Sequence, residues 1–415
     1  MPTDTPINWR ITALATLFVA LGPITLSMYA PAMPALAVAL DTTPAMVQLT
    51  LTVYLAAFAV AQLVYGPLSD RFGRRPVVLA GMVVFVAGSV EAAFATSIET
   101  LLLARFVQAV GACAGPAVAR AIVRDLYSGP AAARVLALVG MALTLAPAVG
   151  PAIGGYLQTW FGWRAIFLAL GLFGVAVLTA AFFMAETNRR RDPAALDPRR
   201  MVANYRRLAM SPAYLGYVAI VACTLGGLLS YVAASPFVLI SIVGLSPEAF
   251  GWTSIATTSG YFVGSIAASR LVGRVGIRSL VTAGMLVVLA GGGLLSLNVA
   301  MGWIGVATVV GPMILWTCGL GAVYPSAMAG ALQPFPQIAG AASALMGFVQ
   351  MGSSALGSLA VARLNDGTAL AIGVVPVAMG LLGFAVYWLT VGRPGALPAV
   401  TAAAARAEAE VCGDD

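Results

Sequence analysis

The chain of 415 residues contains no histidine and no lysine. The missing histidine removes the most common proton relay near neutral pH. The missing lysine rules out a Gly-x4-Gly-Lys-Ser/Thr phosphate loop, so this chain alone cannot drive transport with ATP. Charge is scarce too: 9% of residues are charged against 60% hydrophobic, and mean hydropathy is +0.95. A soluble domain of this length needs far more charge to cover its surface, which places the chain in lipid. Cysteines number four: Cys113, Cys223 and Cys318 fall in apolar segments and Cys412 lies in the tail, so no disulfide framework is expected. A membrane enzyme would show His, Asp, Glu or Cys clustered at one membrane face. No such cluster exists, and neither metal nor cofactor is expected.

Apolar sequence, by contrast, is abundant. A helix crossing the hydrocarbon core needs roughly 20 mostly apolar residues. Twelve stretches qualify, near 11–36, 46–66, 77–97, 100–121, 134–158, 164–184, 213–238, 250–270, 279–299, 303–327, 340–362 and 369–391. The first is too long for a cleaved signal peptide and is expected to stay. Short turns separate them, such as Asp41-Thr-Thr-Pro44 and Asn365-Asp366-Gly367. One longer polar stretch, Glu186 to Ser211, carries seven arginines and divides the spans into two sets of six. The expected domains are a six-helix bundle over 1–185, a cytoplasmic linker over 186–211, a second bundle over 212–392 and a cytoplasmic tail over 393–415.

Every basic residue is an arginine, and their positions orient the chain. With the N-terminus cytoplasmic, 19 fall inside: Arg10, Arg71, Arg74, Arg75, Arg120, Arg124, Arg134, the seven from Arg189 to Arg207, Arg270, Arg274, Arg278, Arg393 and Arg406. Only Arg164 and Arg363 fall outside, and Arg105 lies within a span. Both termini are therefore expected in the cytoplasm, which requires an even number of spans. The basic pI of 9.5 follows from this topology signal, and nucleic acid is not an expected partner. Trp160 and Trp163 suit an outer aromatic belt.

The chain also repeats itself. Val78 to Ser89 aligns with Val281 to Gly292 at an offset of 203 residues, with seven of twelve positions identical. Just upstream, Arg71, Gly73 and Arg75 align with Arg274, Gly276 and Arg278. Two Ala/Gly/Val-rich helices resemble each other by chance, but the matching Arg-x-Gly-x-Arg favours duplication. Internal prolines fall in spans 1, 4, 7 and 10 (Pro23, Pro31, Pro116, Pro236, Pro312, Pro325). Spans 2, 3, 6, 8, 9 and 11 have none, whereas Pro147, Pro151 and Pro376 break the pattern. Interrupted helices at matching positions point to a central transport cavity, although proline is tolerated in membrane helices generally.

Three segments carry mechanism. Gly66-Pro-Leu-Ser-Asp-Arg-Phe-Gly-Arg-Arg-Pro76 joins spans 2 and 3. Its glycines permit a tight turn, and Asp70 sits among Arg71, Arg74 and Arg75, able to make and break ion pairs. Span 5 holds Gly140 to Gly155, where small residues admit a neighbouring helix and Pro147 and Pro151 bend the span. Span 4 contains Leu103-Ala-Arg-Phe-Val-Gln-Ala-Val-Gly111. Arg105 within a span is a functional candidate, or else an interfacial arginine snorkelling to the outer surface.

Taken residue by residue, the span 2–3 run resembles the signature loop of the major facilitator superfamily. That resemblance implies a latch between the two halves built from Gly66, Asp70, Arg71, Gly73, Arg74 and Arg75. It also implies the superfamily fold: an all-α integral membrane protein of twelve transmembrane helices in two pseudo-symmetric six-helix bundles. The span 5 run (Pro147, Gly150, Pro151, Gly154, Gly155) resembles the superfamily's antiporter motif, and Arg105 matches an arginine linked there to proton coupling. Ser27-Met-Tyr-Ala-Pro-Ala-Met-Pro34, Leu51-Thr-Val-Tyr-Leu55 with Gln62, Ile122 to Tyr127, and Phe161 to Phe167 resemble the Bcr/CflA group of bacterial drug exporters. One departure matters: that group usually has an Asp where this chain has Ser27. The remaining acidic candidates for proton coupling are Glu91 in span 3 and Asp41, with Asp125 at the other face.

If spans 1, 4, 7 and 10 line the cavity, its groups include Ser27, Tyr29, Gln108, Thr224, Tyr231, Ser235, Trp316, Thr317 and Tyr324, with Tyr54 and Gln350 from spans 2 and 11. Each of these is equally a candidate for plain helix packing. Neutral, aromatic and polarisable groups suit amphiphilic, weakly charged molecules. The expected function is export of small amphipathic drugs across the bacterial cytoplasmic membrane by a monomer, coupled to protons by alternating access. Export of an endogenous amino-acid or sugar derivative is the alternative.

Overall fold

A computed structural model of the chain describes residues 8–127, 129–188 and 191–392. The expected tail over 393–415, with Arg393, Arg406 and Cys412, lies outside the described residues, as do Arg189 and Arg190.

Among the described residues, eleven helices are long and apolar enough to cross a membrane. Span 1 is Trp9–Ala39, span 2 Pro44–Phe72, span 3 Arg74–Ala93 and span 4 Ile98–Leu126. Span 5 is Gly129–Phe161 and span 6 Trp163–Phe182. Span 7 is Pro212–Ile242. Spans 10, 11 and 12 are Val306–Leu332, Ala339–Arg363 and Leu370–Tyr387.

Spans 8 and 9 run together over Pro247–Ala300, 54 residues. At 1.5 Å per residue such a rod is about 80 Å long, well over twice the hydrocarbon thickness. It is not one rod, because Gly276 takes φ 77°, ψ 161° and breaks it into two passes. Twelve passes result, and the short turn expected between spans 8 and 9 shrinks to a single glycine. Glycine is suited to that left-handed φ because it has no Cβ.

Span 2 departs from expectation in the same economical way. It extends to Phe72, so Gly66 and Pro67 lie inside the helix, and span 2 is not free of proline. Gly66 therefore makes no turn. The turn belongs to Gly73 alone, at φ 106°. Asp41, at φ 45°, turns the chain between spans 1 and 2, a conformation Asp tolerates better than most residues.

The linker expected as a polar stretch contains a helix, Pro198–Ala209. Asp197 caps it by accepting from the Arg199 N–H, and proline follows at the first helical position. Leu208 is fully buried in a small cluster with Tyr214, Phe335 and Met346. The Tyr205 hydroxyl donates to the Leu63 carbonyl at 3.3 Å. The linker thus rests on span 2 of one bundle and on the core of the other.

Each bundle has its own buried core. One is built from residues of spans 1 to 6, such as Phe18, Phe85, Leu101 and Phe167. The other centres on Trp316, Met285, Val288 and Ile372, and admits Leu51 and Leu55 from span 2. Glycine lets the helices approach closely: a Cβ at Gly111 would lie 2.6 Å from the Phe85 Cα. Without a hydrophobic drive between helices in lipid, such close backbone packing supplies the attraction.

Candidate functional site

In the first bundle, Arg105 is fully buried, at 0% exposure, which excludes the snorkelling alternative. Its guanidinium carbon lies 4.6 Å from the Tyr29 ring centre and 4.3 Å from that of Tyr54, with Phe167 at 6.0 Å. Nη1 donates to Gln108 Oε1 at 2.5 Å, and Gln108 Nε2 donates to Ser89 Oγ at 2.8 Å. Nε and Nη2 have no partner. Among the described residues, none of the three ion pairs includes Arg105 and no Asp or Glu is buried. The cation is held by ring faces rather than by a carboxylate, each desolvated contact being worth about 2 kcal/mol. Tyr29 is fixed in turn by its hydroxyl, 2.6 Å from Thr50 Oγ1.

Ser27, on the same span as Tyr29, is buried and donates to the Ala146 carbonyl of span 5 at 3.1 Å. Two glycines of the span 5 run make that approach possible. A Cβ at Gly150 would stand 2.9 Å from the Ser27 Cβ, and one at Gly154 would stand 2.8 Å from the Met28 carbonyl carbon. The next glycine turns the other way, toward the second bundle. A Cβ at Gly155 would stand 2.8 Å from the Pro247 carbonyl carbon. Span 8 reciprocates: a Cβ at Gly251 would stand 2.5 Å from the Ala152 Cα. Pro147 and Pro151 sit inside this helix, and the Pro151 carbonyl faces Gly251.

That contact belongs to a seal at the face opposite the arginine-rich one. Gln48 Nε2 donates to the Ala233 carbonyl at 3.3 Å, and Asn365 Nδ2 donates to Gln48 Oε1 at 3.0 Å. Thr52 Oγ1 donates to Ser358 Oγ at 2.9 Å. The sequence marked Asn365 only as a turn residue and Thr52 only as part of the Leu51–Leu55 run, and Gln48 and Ser358 not at all. Neutral polar residues at span ends carry no signal until a second bundle lies against them.

At the arginine-rich face, Arg74 is the hub. Its Nη1 donates to Asp70 Oδ1 at 2.6 Å and Ser69 Oγ at 2.7 Å, and its Nε donates to Asp125 Oδ2 at 2.9 Å. Glu186, just beyond span 6, accepts from the backbone N–H groups of Arg74 at 2.9 Å, Arg75 at 3.1 Å and Asn188 at 2.8 Å. A carboxylate on the first N–H groups of a helix satisfies donors that have no helical partner. Burial opposes the charged form of Glu186, but those N–H groups outweigh it and hold the carboxyl below its ordinary value of 4.5. Arg75 donates to the Phe182 carbonyl at 2.7 Å, while Arg71 lies over the Phe72 ring. All these contacts stay within the first bundle and its adjoining linker.

The other singled-out residues divide by position. Trp316 is fully buried inside the second bundle, seated on glycines of spans 7, 9 and 12. A Cβ at Gly227, Gly292 or Gly380 would come within 2.5, 2.9 and 3.1 Å of its ring. Thr317 and Thr224 bond to helix carbonyls, and Tyr231 and Ser235 are buried. Tyr324 and Gln350 do meet, hydroxyl to Oε1 at 3.3 Å. Glu91 and Asp41 are exposed toward the face away from the arginines, apart from Arg105 and its rings.

The sequence profile of the Major Facilitator Superfamily matches residues 15–358. The chain is 31% identical over 376 residues to Multidrug resistance protein D of Escherichia coli K12, covering 90% of this chain and 94% of that protein. It is 34% identical over 377 residues to the Chloramphenicol resistance protein of Pseudomonas aeruginosa, covering 87% of each. Among solved structures, the fold is similar to a D-xylose-proton symporter, with a TM-score of 0.75 at 15% identity, covering 94% of this chain and 98% of that one.

Proposed function

Since the chain belongs to the major facilitator superfamily, and to its Bcr/CflA-type branch, we propose that it exports small amphipathic drugs by alternating access and proton antiport. The carrying observation is the seal between spans 5 and 8, where Gly155 and Gly251 bring backbone against backbone. A contact of glycine backbone, crossed by a long Trp252 Nε1–H to Tyr156 hydroxyl bond of 3.4 Å and with no ion pair to break, separates at low cost when the bundles rock. The names of the relatives, multidrug and chloramphenicol resistance proteins, support drugs as the cargo.

The arginine distribution supports placing the arginine-rich face and both termini in the cytoplasm of a bacterial inner membrane. The sealed face is then periplasmic, and the Asp70–Arg74–Asp125 network, whose contacts here stay within the first bundle, lies at the cytoplasmic face where a latch to the second bundle would close. Of the coupling candidates, Arg105 is the one in the interior, and its unpartnered Nε and Nη2 groups give the proton pathway a fixed charge to respond to. The test is expression in an efflux-deficient bacterium, screened against a drug panel with and without a protonophore. Resistance that disappears with the protonophore is expected. Resistance that persists would remove proton coupling, and resistance to nothing would remove drug export.

A further inference from the structure

Span 4 carries two arginines one helical turn apart near the arginine-rich face, Arg120 and Arg124. Both reach toward the other bundle. The guanidinium nitrogens of Arg124 lie 3.4 and 3.8 Å from where a Cβ of Gly340, at the start of span 11, would stand. Arg120 is half-buried and close enough to Tyr324 of span 10 to interact electrostatically with it. Tyr324 in turn donates to Gln350 of span 11. Neither arginine makes a hydrogen bond or ion pair among the described residues.

Among the described residues, the acids of this face are already committed. Asp70 and Asp125 hold Arg74, Asp192 holds Arg200 at 2.6 Å, Asp197 caps the linker helix and Glu186 caps span 3. Asp41, Glu91, Glu99, Glu248 and Asp366 lie at the ends of spans on the opposite face. Like charges one turn apart repel, and they do so more strongly away from bulk water. A guanidinium pair left without a carboxylate among the described residues, beside the Tyr324–Gln350 pair of the other bundle, is complementary to an oxyanion.

We infer that Arg120, Arg124, Tyr324 and Gln350 form an oxyanion-binding site between the two bundles, and that it takes small amphipathic anions bearing a carboxylate. This rests on the export reading and narrows its cargo. A neutral drug passes without using the arginines, and a cation is repelled by them.

The test uses the purified full-length protein in detergent, with carboxyfluorescein as the anion, chloramphenicol as the neutral molecule and ethidium as the cation. Carboxyfluorescein is expected to bind and ethidium not to. Arg120→Gln should weaken carboxyfluorescein about tenfold more than chloramphenicol, the loss of one charge-assisted hydrogen bond. Arg120→Lys should recover part of it. Unchanged carboxyfluorescein affinity in both Arg120→Gln and Arg124→Gln overturns the site, as does chloramphenicol binding with no anion binding. The same cells tested for resistance separate the two readings. Protonophore-sensitive drug resistance without anion binding leaves export standing and removes the anion site. Arginine-dependent anion binding without resistance does the reverse.

Discussion

Gly155→Ala tests the seal between the bundles most directly. The added Cβ would stand 2.8 Å from the Pro247 carbonyl carbon and 2.9 Å from the Glu248 Cα. Ordinary carbon contacts begin near 3.4 Å, and both neighbours are backbone, so no side-chain rotation relieves the clash. Spans 5 and 8 must part by about half an ångström or more. Overpacking of this kind costs about 1–3 kcal/mol. The cost falls only on the state in which this face is closed, because the two spans do not touch there once it opens. At 1.4 kcal/mol per tenfold, the closed-to-open ratio should fall by about 5- to 140-fold. The readout is a cysteine at Thr52, buried between the bundles at 8% exposure, in a chain whose native cysteines are replaced. Its labelling by a membrane-impermeant maleimide added at the sealed face should speed up at least fivefold. Gly140→Ala, on the same helix, meets nothing within 4 Å and serves as control. Unchanged labelling in Gly155→Ala, or an equal rise in Gly140→Ala, would refute the reasoning.

Arg105→Lys keeps the charge but loses the planar group stacked between Tyr29 and Tyr54; transport should drop at least about tenfold while the protein still inserts and melts cooperatively. Arg74→Ala leaves Asp70 and Asp125 facing each other. With those carboxylates partly open to water, the expected loss is about 1–3 kcal/mol, seen as a lower melting temperature in detergent. Glu186→Gln removes a charged cap, costing about 1 kcal/mol at pH 7. Because the folded protein holds this carboxyl below 4.5, its stabilisation is present above that pH and is lost as pH falls through the lowered value. The melting difference between Glu186→Gln and the parent chain should therefore shrink on acidification. A constant difference from pH 7 to pH 4 would count against the cap.

Much of this was open to a reader of the sequence. Hydropathy and length determined twelve passes, since lipid leaves a backbone no partner but its own helix. The arginine positions carry an expectation of sidedness, and Gly73, whose positive φ only glycine adopts easily, marks the turn before span 3. Periodicity did not reveal that Gly66 stays helical, because an open surface position tolerates glycine without requiring a turn. Tertiary structure alone decided the rest. It put Arg105 between two rings, where sequence allowed either the interior or the interface. It set Trp316 on three glycines inside the second bundle, and it turned Gly154 toward span 1 but Gly155 toward span 8. Among the described residues, it also left Arg120 and Arg124 without a carboxylate. The reason is physical: one span's sequence specifies that it is a helix in lipid, whereas what each side chain meets depends on neighbours tens to hundreds of residues away.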